Sequence, residues 1–173
     1  MTEGSTAATD DVAVRIVDHL VASRTTIAVA ESLTGGLLTA ALVDVPGVSA
    51  VLRGGVVAYD TALKHTLLGV DAEVLSAHGP VHPDVAMQMA VGVRSALAVR
   101  DLPALVGIAT TGVAGPDPQD GQPPGTVFIG IAVGSTVRAH ALQLAGDRAA
   151  VRAGAVLAAL ELLAEAIGAE EGM

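Results

Sequence analysis

The residues of this chain that could do chemistry are few, and two of them are singular. Ser32 lies in Ala30-Glu31-Ser32-Leu33-Thr34-Gly35-Gly36, a polar stretch between an apolar run, Thr26 to Ala30, and an apolar-periodic run that begins at Leu37. The first run is short and rich in β-branched residues, which predicts a buried strand; the second has helical spacing. Ser32 is therefore expected on a strand-to-helix turn, where the first helical amides lack intrahelical partners and the positive end of the dipole faces whatever the loop holds. Two readings of that serine stand side by side. Ser and Thr are favoured N-caps, so the stretch could simply start a helix. Against this, each of the two glycines costs about 1 kcal/mol of helix propensity relative to Ala, and glycine suits a backbone that must approach a ligand closely.

Lys64 is the sole lysine among nine Lys and Arg residues, and Tyr59, five residues before it, is the sole tyrosine. Where charge alone is needed this chain uses Arg. A guanidinium stays protonated, whereas a lysine whose pKa is lowered by burial can accept a proton. A phenol can donate to, accept from or stack on a ligand. The plain alternatives are a solvated lysine and a packed aromatic. Paired with Ser32, a neutral Lys64 would take the hydroxyl proton as the serine attacks an acyl carbon, with backbone amides near Thr34, Gly35 and Gly36 stabilising the oxyanion. Thr110, Thr111 and Gly112, at the end of another strand, are candidate donors. Arg148 and Arg152 sit one helical turn apart and would either clamp a phosphate together or pair with acids on an exposed face. His78 and His82 flank Gly79-Pro80, but the chain has no cysteine and no third clear ligand, so no metal and no cofactor is expected.

Positioning these residues takes one domain, which is what 173 residues allow. At 51% hydrophobic with 20 Gly, the composition suits a compact α/β protein, and one Phe, one Tyr and no Trp leave Val, Leu, Ala and Ile to build the core. A helix is expected from Asp11, with Val14, Val17, Leu20 and Val21 facing the core, and strand one covers Thr26 to Ala30. A helix from about Thr34 to Asp44 follows. Val51 to Tyr59 reads as a strand whose Gly54-Gly55 marks a bulge or a close backbone approach. Short helices are expected over Thr61 to Leu68 and Asp71 to Ala77, and a longer one from Pro83 to about Val99. The next strand is Leu102 to Thr110. A polar excursion, Asp117 to Pro124, is expected beside the site. Gly125 to Val133 and Thr136 to Leu144 form a hairpin about Gly134-Ser135, and a last helix, capped by Asp147, reaches about Ile167. The reading is a single-domain mixed β-sheet covered by helices over residues 12–167, with a disordered N-terminal tail at 1–11 and a C-terminal tail at 168–173.

A formal charge of −9 and scattered basic residues exclude the electrostatic footprint of a nucleic-acid binder and disfavour anionic membranes. The first eleven residues lack the basic and apolar regions of a signal peptide, and every apolar run is interrupted before about 20 residues. The chain is expected to be soluble and cytoplasmic.

The ordered set Ala30-Glu31-Ser32, Thr34-Gly35-Gly36, Gly54 with Tyr59 and Lys64, Gly112-x-Ala114-Gly115-Pro116, Pro123-x-Gly125-Thr126-Val127 and Gly146-Asp147-Arg148 with Arg152 resembles the CinA C-terminal domain. This is the competence/damage-inducible protein family, whose active members are nicotinamide-nucleotide amidohydrolases. The resemblance covers about Val12 to Ile167. It implies an α/β fold, a homo-oligomer and deamidation of nicotinamide mononucleotide to nicotinate mononucleotide and ammonia in pyridine nucleotide recycling. Ser32 would then be the nucleophile, Lys64 the base and Tyr59 a pocket residue, with Thr34, Gly35, Gly36, Thr111, Gly112, Ala114, Gly115 and Arg148 holding substrate. The alternative within the family is an inactive nucleotide-binding or regulatory domain. Leu33 stands where many relatives have Cys, Thr61 replaces a common Asn, Gln122 a frequent Lys and His82 a frequent Ser.

Overall fold

The computed structural model describes residues 3–169. Five strands form one mixed sheet in the order β2-β1-β3-β4-β5, with β1 at Ile27–Glu31, β2 at Leu52–Val57, β3 at Val106–Gly112, β4 at Thr126–Val133 and β5 at Thr136–Gln143. β1 pairs in parallel with β2 and β3, and the β3-β4 and β4-β5 pairs are antiparallel. The three parallel strands need helical crossovers, while β4 and β5 turn directly through Gly134 at φ 57.

Helices cover both faces. On one, α1 (Glu3–Ser23), α2 (Leu37–Val43) and α6 (Arg148–Ile167) bury Ile16, Leu20, Leu38, Leu42, Leu160 and Leu163 against β1, β3 and β4. On the other, α3 (Thr61–Leu68), α4 (Ala72–His78) and α5 (Pro83–Ala96) close over Ala28, Ala30 and Ala109, with Leu68, Val85, Met89 and Val93 filling the layer. α5 presses close enough that a Cβ at Gly107 or Gly130 would strike the backbone of Ala90 or Ala86. Aliphatic cores on both sides explain why strands β1 and β3 are apolar on both faces.

Several boundaries differ from expectation. α1 begins at Glu3, so residues 3–10 are helix and the disordered tail at 1–11 is corrected there. The apolar period becomes visible only at Val12, while Ala7 and Ala8 carry the helix earlier by propensity. Its inner face is Val12, Ala13, Ile16, Val17 and Leu20, and Val14 and Val21 are exposed. β3 starts at Val106 because Arg100 and Asp101, both at positive φ, close a turn that bridges Val99 to Leu102 and leaves Leu102 outside. At the C-terminus, Gly168 caps α6 and Ala169 packs on the core, so the tail call is corrected at those two residues. Its remainder, 170–173, lies outside the described residues, as do residues 1 and 2. Both signals read at Gly54-Gly55 are present: the β1-β2 register shifts past Arg53, and Gly55 leaves room for the Thr39 side chain. Among the described residues no helix is long and apolar enough to cross a membrane.

Candidate active site

The carboxyl ends of the parallel strands bring Glu31-Ser32, Ala58-Tyr59 and Thr110 to Gly112 to one edge of the sheet. The chain leaves β1 toward β2 on one side and later returns to β3 on the other, so the connecting loops diverge there and leave a crevice. A cleft of about 450 Å³, including its solvent-open space, occupies this point. Ser32, Lys64 and Thr111 form its inner wall, and Tyr59 and Arg148 stand at its mouth.

Lys64 is on α3, one turn before Leu68 on the same inward face, at a position where helical periodicity calls for an apolar side chain. It is 1% exposed and is the largest fully buried side chain among the described residues. Its Nζ donates to Ala58 O at 2.8 Å and to Ser32 Oγ at 3.0 Å. Burial pushes the ammonium down from an ordinary 10.5 to about 8, with the Asp60 carboxylate acting in the opposite direction. At pH 7 about a tenth of such amines are neutral. In the neutral form one N–H still reaches Ala58 O, and the lone pair can accept the Ser32 proton across the same 3.0 Å contact.

The turn carrying Ser32 is held by Glu31. This side chain is fully buried, and its carboxylate accepts from the backbone N–H groups of Gly36, Leu38 and Thr39 and from Thr39 Oγ1. The cap of α2 is therefore an acid at the end of β1, and neither Ser32 nor Thr34 caps the helix. Thr34 instead shares a buried hydroxyl contact of 2.8 Å with Thr110, and Ser32 N–H donates to Thr110 O. Gly35 and Gly36 take positive φ so that the chain can double back over Glu31. The expected start of the helix at Thr34 is corrected to Leu37.

These bonds also correct the expected substrate contacts. Thr34, Gly35 and Gly36 do not line the cleft; Gly36 N–H is spent on Glu31, and Gly35 N–H donates to Ser32 O. Thr111, Gly112 and Ala114 do line it, with Thr111 Oγ1 donating to Pro80 O. Gly115 contributes its carbonyl to Arg148 Nη1, while Arg148 Nη2 donates to the Tyr59 hydroxyl at 2.7 Å. The two arginines of α6 diverge rather than form one clamp. Arg152 spends Nε on Leu33 O and Nη2 on Thr34 O, binding the turn and no ligand.

Sequence reasoning missed the capping role of Glu31, whose only signal was an acid at the end of an otherwise apolar strand. It also missed Pro80 and Val81, and Gln119 within the polar excursion, all of which line the cleft. Of the family departures, Thr61 lines the cleft, whereas Gln122 pairs with Gln119. His82 caps α5 through Nδ1 and stacks on His78 with ring centroids 4.3 Å apart. Among the described residues no group of three or more His, Asp or Glu side chains is placed to hold a metal ion.

Comparison with known proteins gives this edge of the sheet its relatives. The CinA C-terminal domain pattern matches residues 9–167. A CinA-like protein of Frankia casuarinae is 48% identical over 86% of this chain and 33% of its own length. A putative competence-damage inducible protein of Desulforamulus reducens is 46% identical over 79% of this chain and 32% of its own. The chain thus spans about a third of the length of these curated relatives. Among solved structures, the competence/damage inducible protein CihA of Agrobacterium tumefaciens superimposes with a TM-score of 0.84 at 32% identity, covering 93% of this chain and 96% of that one. A CinA superfamily protein of Klebsiella pneumoniae gives 0.86 at 32% identity, covering 92% and 98%. With sequence pattern, relatives and fold in agreement across nearly its whole length, this chain belongs to the CinA C-terminal domain family.

Proposed function

We propose that this domain is a serine amidohydrolase that converts nicotinamide mononucleotide to nicotinate mononucleotide and ammonia. The observation that carries the reading is the 3.0 Å contact between Ser32 Oγ and the buried amine of Lys64. Ser32 Oγ attacks the carboxamide carbon while its proton passes to neutral Lys64 Nζ, and the carbonyl electron pair moves onto oxygen. The intermediate collapses as Lys64 returns that proton to the departing nitrogen, which leaves as ammonia. Water then attacks the acyl-enzyme, Lys64 takes its proton and gives it back to Ser32 Oγ, and the carboxylate product departs. Arg148, exposed at the mouth beside Tyr59, supplies the cationic group for the phosphate. The choice of this nucleotide as substrate follows the resemblance in motifs.

The test is ammonia release from purified protein given nicotinamide mononucleotide, beside Ser32→Ala, with product identity checked by mass. Turnover is expected from the native chain, with a loss of at least about 10³-fold in the variant. Binding of the nucleotide without turnover would replace this reading with a non-catalytic nucleotide-binding domain.

A further inference from the structure

We propose that Gln119 recognises the sugar of the substrate, its side-chain amide bonding the vicinal hydroxyls of the ribose, so that the cleft selects ribonucleotide amides over their deoxy counterparts; this rests on the Ser32 hydrolase reading above.

Gln119 reaches the cleft from the polar excursion between β3 and β4, and that excursion is a built element. At its tip Gln119 and Gln122 exchange backbone N–H to O bonds of 3.1 and 2.9 Å around Asp120 and Gly121. Those two residues take φ of 49 and 76, as a two-residue hairpin turn requires. At its base Gly125 N–H donates to Val113 O and Val113 N–H to Thr126 O, and Gln143 Nε2 holds Pro124 O. The tip is seated too. A Cβ added at Gly79 would lie 3.2 Å from Asp120 Cβ, so the hairpin rests on the segment that leads into Pro80.

These anchors give the excursion a course along the cleft. It leaves Gly115, whose carbonyl is held by Arg148 at the mouth, and comes down beside Pro80, whose carbonyl is held by Thr111 of the inner wall. A nucleotide with its carboxamide at Ser32 and its phosphate at Arg148 must place the ribose between those two, on the stretch of cleft that this span borders.

Gln119 has the free groups for that position. Ser32, Tyr59, Lys64, Thr111 and Arg148 already make side-chain bonds, which leaves Thr61 and Gln119 as the cleft-lining polar side chains without a partner among the described residues. Thr61 offers one hydroxyl. The amide of Gln119 carries a carbonyl acceptor and two N–H donors, which match neighbouring hydroxyls that each donate and accept, and it adds no charge near the phosphate. Gln88 and Gln143, by contrast, spend their amides on Asp71 N–H and Pro124 O. The hairpin also spares the ordering cost of bringing a loop residue to a ligand.

The experiment compares nicotinamide mononucleotide with its 2′,3′-dideoxy counterpart, for the native chain and for Gln119→Met, which keeps the side-chain length and removes the amide. kcat/KM is measured for every pairing, and Kd by calorimetry with the Ser32→Ala form of each. The native chain is expected to prefer the ribonucleotide by at least about tenfold, and Gln119→Met by about twofold or less, with its rate on the dideoxy nucleotide kept within about twofold of native. Dissociation constants should show the same collapse of preference. Equal losses on both nucleotides would mean a disturbed hairpin and overturn the assignment. So would a native chain without preference, or a variant that retains it. Absence of turnover together with a Kd ratio that depends on Gln119 would sink the hydrolase reading and keep the sugar contact, whereas an active chain whose ratio ignores Gln119 would sink only the sugar contact. Neither binding nor turnover would sink both.

Discussion

The cleft at the carboxyl ends of the parallel strands contrasts with a second cavity, between β4, β5 and α6, which is lined by Ile131, Arg138, His140, Leu162 and Glu165. The second is larger, about 690 Å³ against about 450 Å³ with open space included in both. Its polar groups, however, are Thr136, Arg138 and Glu165, all exposed, and a half-buried His140. Each can be solvated by water on its own. At the first, Lys64 and Thr111 in the wall and Glu31, Thr34 and Thr110 in the turn and strand end behind it are all buried, and the side chain of each is satisfied by another member or by a backbone group beside it. Water-poor surroundings strengthen such bonds and shift proton affinities, which a solvated rim of charges does not. Convergence of desolvated polar groups, rather than volume, marks the place where chemistry is feasible.

The sharpest way to break this contrast is Lys64→Met. Loss of the base is expected to lower kcat by about 10³-fold, while the native rate should rise with pH until the amine is neutral, through a limb near 8. A limb near 10.5 would mean an unperturbed lysine and remove the argument from burial. Stability supplies an independent reading with a definite sign. Because the folded-state pKa lies below the unfolded 10.5, the unfolded chain binds more protons between about 8 and 10.5. The native protein should therefore gain stability relative to Lys64→Met as pH rises through that window, by about 3 kcal/mol in all, as denaturant melts at several pH values would measure.

Glu31→Gln probes the same edge through structure. The amide nitrogen of Gln would face backbone donors in place of an acceptor, so a loss of about 2 kcal/mol is expected by denaturant unfolding. Arg138→Ala at the second cavity should stay within about 0.5 kcal/mol and leave activity unchanged. Equal effects at both places would erase the distinction.

A finer test is Asp60→Asn. The Asp60 carboxylate raises the Lys64 pKa, and its oxygen also accepts from Ala62 N–H as the cap of α3. Asn keeps the cap and removes the charge, so the alkaline-rising limb of the rate should move to lower pH with little change in the plateau. No displacement in a pH-rate profile would show that burial alone tunes the amine.

Much of this fold was legible because its signals are local. The five strands, the α/β class, the β4-β5 hairpin and the Asp147 cap follow from runs, periods and turn residues that act within a few positions. The start of α1 and the start of β3 were not legible, since propensity extends a helix past its apolar period and a turn can interrupt an apolar run. The singularity of Lys64 and Tyr59, and the glycine-rich turn after Ser32, were also in the sequence by itself, as residue types without addresses.

Only the tertiary structure decided their partners. It set Lys64 against Ser32 across 32 residues and let Glu31 rather than Ser32 or Thr34 cap α2. It also separated two arginines of one helix face, sending Arg148 to the mouth of the cleft and Arg152 to the carbonyls of the turn. A side chain's reach is set by which surfaces fold together, and a carboxylate, a hydroxyl and a carbonyl oxygen compete for the same donors over a few ångströms. Periodicity along the chain carries no record of that competition.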